Sequence, residues 1–160
     1  MQLNIQNKFT AELPSDNIES NETREVSNAC FSYVTPRTPS NPKLLHVSVE
    51  VANLLGISIE ETKSENFLNV FSGKKILPNT KPYAMCYAGH QFGHWAGQLG
   101  DGRAINLTEI EHNNQFYAIQ LKGAGSTPYS RRADGLAVLR SSIREHLCSE
   151  AMYYLGIPTT

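Results

Sequence analysis

Neither sign of charge dominates this chain of 160 residues: 14 Lys and Arg stand against 15 Asp and Glu, a formal net charge of −1. A general nucleic-acid binder needs a basic footprint, so that class is disfavoured. No stretch approaches the roughly 18 consecutive apolar residues of a membrane span, and neither nucleic acid nor membrane is expected as a partner. Cysteine is scarce. Cys30, Cys86 and Cys148 are far apart, odd in number and form no CxxC pair, which fits a reducing compartment. Residues 1–20 lack the apolar core of a signal peptide, and Glu12, Asp16 and Glu19 make them too acidic for a transit peptide, so the expected location is the cytoplasm. With 40% hydrophobic and 18% charged residues, the composition is that of one globular domain, or one lobe of something larger.

The near-neutral total hides a local imbalance. Between Arg103 and Arg144 lie six basic residues (Arg103, Lys122, Arg131, Arg132, Arg140, Arg144) and only three acidic ones (Glu109, Glu111, Asp134). A positive site inside a neutral protein suits a small anionic ligand better than a polyanion, although a solvated charged face reads the same way.

Pro14, Pro36, Pro39 and Pro42 interrupt residues 1–45, which read as an extended arm wrapping over a later core. Val47, Val51, Leu54 and Leu55 then recur at helical spacing up to Gly56. A second helix is predicted from Ser58, where Ser58 and Glu61 form a capping-box pair, through Phe67 and Phe71 to Gly73. Eight of the eleven glycines fall between residues 89 and 135. Two strands, 103–110 and 115–122, make a hairpin across the turn Glu111-His112-Asn113-Asn114. Alternation in the second strand separates Tyr117, Ile119 and Leu121 from Phe116, Ala118, Gln120 and Lys122. A last helix, about 136–155, carries Leu139, Ile143, Leu147 and Ala151 at four-residue steps. Thr160 follows directly on a helix-to-strand turn with no strand to receive it, so an interrupted domain is expected.

Two segments point to phosphate. In Gly89–Arg103 the glycines allow a backbone to approach a ligand closely, and Arg103 adds a fixed cation. The spacing is neither that of a Walker A loop nor GxGxxG, and tight turns explain such glycines equally well. In the segment from Lys122 to Arg132 a strand-end lysine precedes a flexible, hydroxyl-rich, basic loop, where the plainer reading is a lysine snorkelling at a sheet edge. On a helical wheel Glu145 lies off the apolar stripe of the last helix, which suggests an exposed carboxylate rather than a partner for Lys122. His90, His94 and Asp101 raise a metal hydrolase as a distant reading, because the surrounding glycines oppose a helix that would align the imidazoles. No GxSxG elbow occurs. Tyr83, Tyr87, Phe92 and Trp95 read as core or loop anchors rather than a base-stacking platform.

The segments Gly89-His90-Gln91-Phe92-Gly93, Gln98-Leu99-Gly100-Asp101-Gly102-Arg103-Ala104, Gln120-Leu121-Lys122-Gly123-Ala124-Gly125 and Thr127-Pro128-Tyr129-Ser130-Arg131, then Ser141, Ile143, Arg144 and Glu145, occur in the order seen in the selenoprotein O family. In the arm, Glu12-Leu13-Pro14, Ala29-Cys30-Phe31-Ser32 and Leu54-Leu55-Gly56 resemble that family's opening. The resemblance implies a protein adenylyltransferase of protein-kinase-like fold, which binds ATP in a flipped orientation and transfers AMP to Ser, Thr or Tyr hydroxyls of proteins. By motif, Gly100, Gly102 and Arg103 would contact the nucleotide, Lys122 would bind phosphate, Asp134 and Gly135 would complete the pocket, and Glu145 would pair with Lys122. It further implies an α+β fold, with an arm over 1–45 and a partial kinase-like N-lobe over 46–160 whose sheet packs on the last helix. The family's catalytic Asp, its Mg²⁺ ligands, its further phosphate-binding Arg residues and its redox Cys lie beyond Thr160, so this chain is expected to be inactive alone. A non-catalytic nucleotide-binding or interaction module is the alternative.

Overall fold

The computed structural model describes residues 1–160 and is α+β with antiparallel sheets. Its centre is the hairpin of β5 (Ala104–His112) and β6 (Gln115–Lys122), paired from Ala104 with Lys122 to His112 with Gln115. Asn113 and Asn114 alone make the turn, both left-handed at φ 51° and 60°, as a two-residue hairpin turn demands. The first strand therefore runs to His112, two residues past the expected end at Ile110. Alternation in β6 behaves as expected: Ile119 and Leu121 are buried and Tyr117 is half-buried, while Phe116, Gln120 and Lys122 are exposed.

Two shorter strands, β1 (Phe31–Tyr33) and β2 (Tyr83–Met85), extend the sheet in the order β1-β2-β5-β6. The arm is thus not free of regular structure. It holds a helical turn, α1 (Lys8–Glu12), and supplies β1, whose Phe31 and Ser32 are fully buried. Between Pro14 and Pro36 enough chain is free of proline for three residues to pair with β2, and the rest wraps the sheet through bridges from Ile5 to Ile110 and from Ser15 to Phe31.

One expected helix is two: α3 (Ile59–Thr62) and α4 (Glu65–Phe71). Ser58 caps α3 by accepting from the Glu61 N–H at 3.1 Å. Ser64, in extended conformation, ends that helix and caps the next, accepting from the Phe67 N–H at 3.0 Å and donating to Glu61 Oε1 at 2.9 Å. In the preceding α2 (Val49–Leu54) the buried residue is Ala52, whereas Val51 and Leu54 are exposed. Val70, Leu77, Leu107, Ile110, Ile119 and Leu121 form the largest core cluster, between these short helices and the hairpin.

Residues 88–98 form a separate two-stranded ribbon, β3 (Ala88–Gln91) and β4 (His94–Gln98), turning at Phe92 and Gly93, both left-handed. This part of the expected phosphate loop is a hairpin in solvent, and Phe92 at its tip is 99% exposed, so it anchors no core.

The last helix, α5 (Leu139–Tyr154), lies within the expected span but does not pack on the sheet through its apolar stripe. None of its residues is buried, and Leu139, Ile143 and Leu147 are exposed. Its ties to the body are polar, among them His146 to His46 at 2.8 Å and Tyr154 to Glu50 at 2.8 Å. No helix is long and apolar enough to cross a membrane.

Candidate functional site

Hairpin register brings the two cations together. Ala104 faces Lys122 across the ladder, so Arg103, one residue before β5, sits beside the end of β6, and the Gly123 N–H donates to the Arg103 carbonyl at 2.6 Å. Both side chains reach the same carboxylate on α5: Glu145 Oε2 lies 3.8 Å from Lys122 Nζ, and Oε1 lies 3.5 Å from an Arg103 guanidinium nitrogen. All three are about half exposed. The wheel placed Glu145 off the apolar stripe correctly. The stripe itself lines an open groove against α4 and residues 42–46, and the polar flank of α5 reaches the hairpin through Glu145. Two cations around one carboxylate leave a net positive charge at a cleft of about 490 Å³, whose lining includes Gly100–Ala104, Gln120, Lys122, Ser130, Arg131 and Gly135.

The glycines of this cleft have reasons internal to the fold. Gly100 has φ 110°, and a Cβ there would stand 2.5 Å from Tyr129 Cγ and 2.8 Å from the Met85 carbonyl. At Gly102 it would stand 2.8 Å from the Tyr129 carbonyl. The close approach that these residues permit is made by Tyr129. The hydroxyls of the following loop are likewise spent on backbone: Thr127 donates to the Asp101 carbonyl at 2.7 Å, and Ser130 donates to the Gly102 carbonyl while accepting from the Thr127 N–H at 2.8 Å. A sequence read as hydroxyl-rich and ligand-facing is a buried clamp on the glycine loop. Closely spaced hydroxyls around Pro128 are the one signal of it, since Ser and Thr beside a turn favour local backbone bonds.

Asp101 anchors the same loop from below. Its carboxylate accepts from the Met85 N–H at 3.0 Å and from Asn106 Nδ2 at 3.1 Å. Burial raises its pKa, against the opposing pull of those bonds and of Lys122. Tyr129 is held by Ser32, Oη to Oγ at 2.9 Å, and Ser32 donates to Asp16 at 2.8 Å. Burial pushes the Tyr129 phenol up to about 12. A polar chain therefore runs from the arm to the underside of the glycine loop.

Of the residues singled out from sequence, Gly100, Gly102, Arg103, Lys122 and Gly135 meet in this cleft, and Glu145 reaches its two cations. Asp134 does not line it; exposed, it accepts from the Leu136 N–H at 3.0 Å. Tyr129, Gln120 and the left-handed Arg131 join it without having been assigned a role. The metal-hydrolase reading fails, since Asp101 is engaged inside the fold, the His90 ring packs edge-on against Trp95, and no three His, Cys, Asp or Glu side chains gather as a metal site. A larger apolar groove of about 820 Å³ runs between residues 42–46, α4 and α5 and contains none of these charges, so its size does not make it the site.

Comparison with known proteins agrees with this motif set. The family model described as Protein adenylyltransferase SelO matches residues 17–160. A protein nucleotidyltransferase YdiU from Flavobacterium johnsoniae is 75% identical over 158 residues, 99% of this chain and 30% of that protein. Similar matches come from Methylobacillus flagellatus, 56% identical over 99% of this chain and 31% of the relative, and from Rhodopirellula baltica, 54% identical over 99% and 29%. The chain spans about 30% of the length of these curated relatives.

Proposed function

The chain belongs to the SelO family of protein adenylyltransferases, and from that premise we propose that its cleft binds the phosphates of ATP in a protein that transfers AMP to Ser, Thr or Tyr hydroxyls of other proteins. The observation that carries the reading is the cluster of Lys122, Arg103 and Glu145 at the glycine-loop cleft. Lys122 supplies a compact charge and Arg103 a planar fork for phosphate oxygens, and Glu145 holds both before the nucleotide arrives. Gly100, Gly102 and Gly135 shape the walls. Asp134, which does not line the cleft, is proposed to complete the pocket.

In the transfer, the protein hydroxyl oxygen forms a bond to the α-phosphorus while the bond to pyrophosphate breaks and the hydroxyl proton departs to a base. Residues 1–160 then bind and orient phosphate. No three His, Cys, Asp or Glu side chains gather among them as a metal site. Glycine loop, strand lysine and helix glutamate follow one another as in a protein-kinase N-lobe, which supports that fold for residues 46–160 with 1–45 as its arm; the cytoplasm is the proposed location.

Full-length protein given ATP labelled separately at the α- and γ-phosphates tests the reaction. Incorporation of α label is expected. Incorporation of γ label alone would make the protein a kinase, and ATP binding without transfer would make it a nucleotide-binding module. ATP titration of Lys122→Ala tests the site, and unchanged affinity would remove Lys122 from phosphate binding.

A further inference from the structure

Two of the three cysteines, 56 positions apart in sequence, face each other across the sheet. The ladder pairs Phe31 with Met85 and Ser32 with Ala84, and one step further it brings Cys30 opposite Cys86. The Cys86 N–H donates to the Cys30 carbonyl at 2.8 Å, as the Val34 N–H does to Pro82 at 3.0 Å, while the Cys30 N–H donates to the Pro14 carbonyl at 2.9 Å, so the cysteines stand at the ladder's next hydrogen-bonded position and make one of its two bonds. Such positions hold their Cα atoms about 5.5 Å apart with both side chains on one face. A disulfide spans about 4.4–6.8 Å between Cα atoms. Both cysteines are free and neither is fully buried.

We propose that Cys30 and Cys86 are a reversible thiol–disulfide pair that fastens the arm to β2 when the protein meets a small-molecule disulfide oxidant. The Cys30 thiolate attacks one sulfur of the oxidant and expels the other as a thiolate. Cys86, losing its proton, attacks Cys30 Sγ, expels the second oxidant thiolate and closes the protein disulfide. Two protein thiols lose two electrons and two protons, and one oxidant disulfide becomes two thiols. Burial raises the pKa of Cys86, a hydrogen bond with Tyr129 opposes that, and the nearby Cys30 thiol adds to it, so Cys86 suits the second, resolving step.

The position couples the pair to the cleft. Cys86 packs on the cluster that contains Tyr129. Its neighbour Met85 exchanges two hydrogen bonds with Asp101, through the Met85 N–H at 3.0 Å and the Met85 carbonyl at 2.9 Å. Closing the disulfide fixes the strand from which the glycine loop hangs.

Full-length protein is incubated with glutathione disulfide, its remaining thiols are alkylated, and it is digested without reductant. The expected main product is a linked pair of peptides containing Cys30 and Cys86, lighter by two hydrogens and separated again by dithiothreitol. Cys86→Ser is expected to leave Cys30 as a glutathione mixed disulfide. Cys30 and Cys86 both recovered alkylated while the exposed Cys148 carries glutathione would overturn the proposal, as would either residue linked mainly to another cysteine. The readout is covalent and independent of adenylyl transfer, so it stands or falls apart from the assigned reaction.

Discussion

The β5–β6 hairpin and α5 both carry regularly spaced apolar residues, yet one buries them and the other does not. In the hairpin Ile105, Leu107, Ile110, Ile119 and Leu121 are all buried, whereas the four-residue stripe of α5 stays exposed along an open groove. Periodicity states which face wants a partner and leaves open whether these 160 residues contain one. The two regions consequently do different work: the hairpin holds the fold, and α5 presents Glu145 to the cations.

The sharpest way to break this contrast is to cut the same side chain from both regions. Ile105→Ala, at a position with no exposed surface, is expected to cost about 2–5 kcal/mol. Ile143→Ala, 47% exposed, is expected to change stability by no more than about 0.5 kcal/mol. Urea unfolding of the 160-residue chain measures both. Equal losses would mean that α5 is covered within this chain after all.

A smaller effect separates the glycine loop from the β3–β4 ribbon. Gly100 and Gly93 both have positive φ, but an added Cβ meets Tyr129 and the Met85 carbonyl at Gly100 and nothing within 4 Å at Gly93. Gly100→Ala is therefore expected to cost about 3 kcal/mol, the left-handed penalty plus overpacking, and Gly93→Ala about 1 kcal/mol. Thermal unfolding of the two variants, with equal shifts, would show that the loop yields where Tyr129 now fills it.

These contrasts mark what was legible. The hairpin could be read to within two residues because alternation is a local signal, although the sequence suggests a four-residue turn where Asn113 and Asn114 alone make it. The bounds of α5 were equally local. Packing partners were not: β1 is three residues among prolines, identifiable only through its pairing with β2, and Ser64 divides a helix whose apolar spacing runs on across the break. At the site, Lys122 and Arg103 stood out as strand-end cations, and register alone brings them together; the helical wheel argues against Glu145 as their partner, because how α5 lies against the hairpin is not a local signal. At Gly100 a sequence records the absence of a side chain but not what fills the space, which is Tyr129. A sequence likewise does not record that the hydroxyls of Thr127 and Ser130 have partners on the loop they clamp.

Two carboxylates beneath the site should respond to pH with opposite sign. At Asp16 burial pushes the pKa up, but hydrogen bonds from Arg24, the Ile18 N–H and Ser32 outweigh it and leave the value lowered. Its stabilising contribution is complete above the ordinary value of 3.8 and is lost as pH falls through the lowered folded value. Asp101, with its pKa raised by burial, favours folding when protonated, and that contribution fades as pH rises from the ordinary value through the raised one. Asp16→Asn is expected to remove about 1–3 kcal/mol at neutral pH and to flatten the acid limb of a urea-midpoint series. An unchanged acid limb would show that the polar chain from the arm does not hold Tyr129 in place.

The smallest expected change in stability belongs to the helix carboxylate that anchors the proposed site. Glu145 meets Arg103 at 3.5 Å and Lys122 at 3.8 Å with all three side chains half exposed, where solvent screens most of the attraction. Glu145→Gln is therefore expected to alter unfolding by less than about 0.5 kcal/mol. Its effect on ATP affinity should be larger, roughly 2–10-fold weaker, because two flexible cations lose the group that orders them before binding. Calorimetry of unfolding and of ATP binding on one variant separates the two. A stability loss above 1 kcal/mol would make α5 part of the frame, and unchanged ATP affinity would mean that Lys122 and Arg103 hold their places without it.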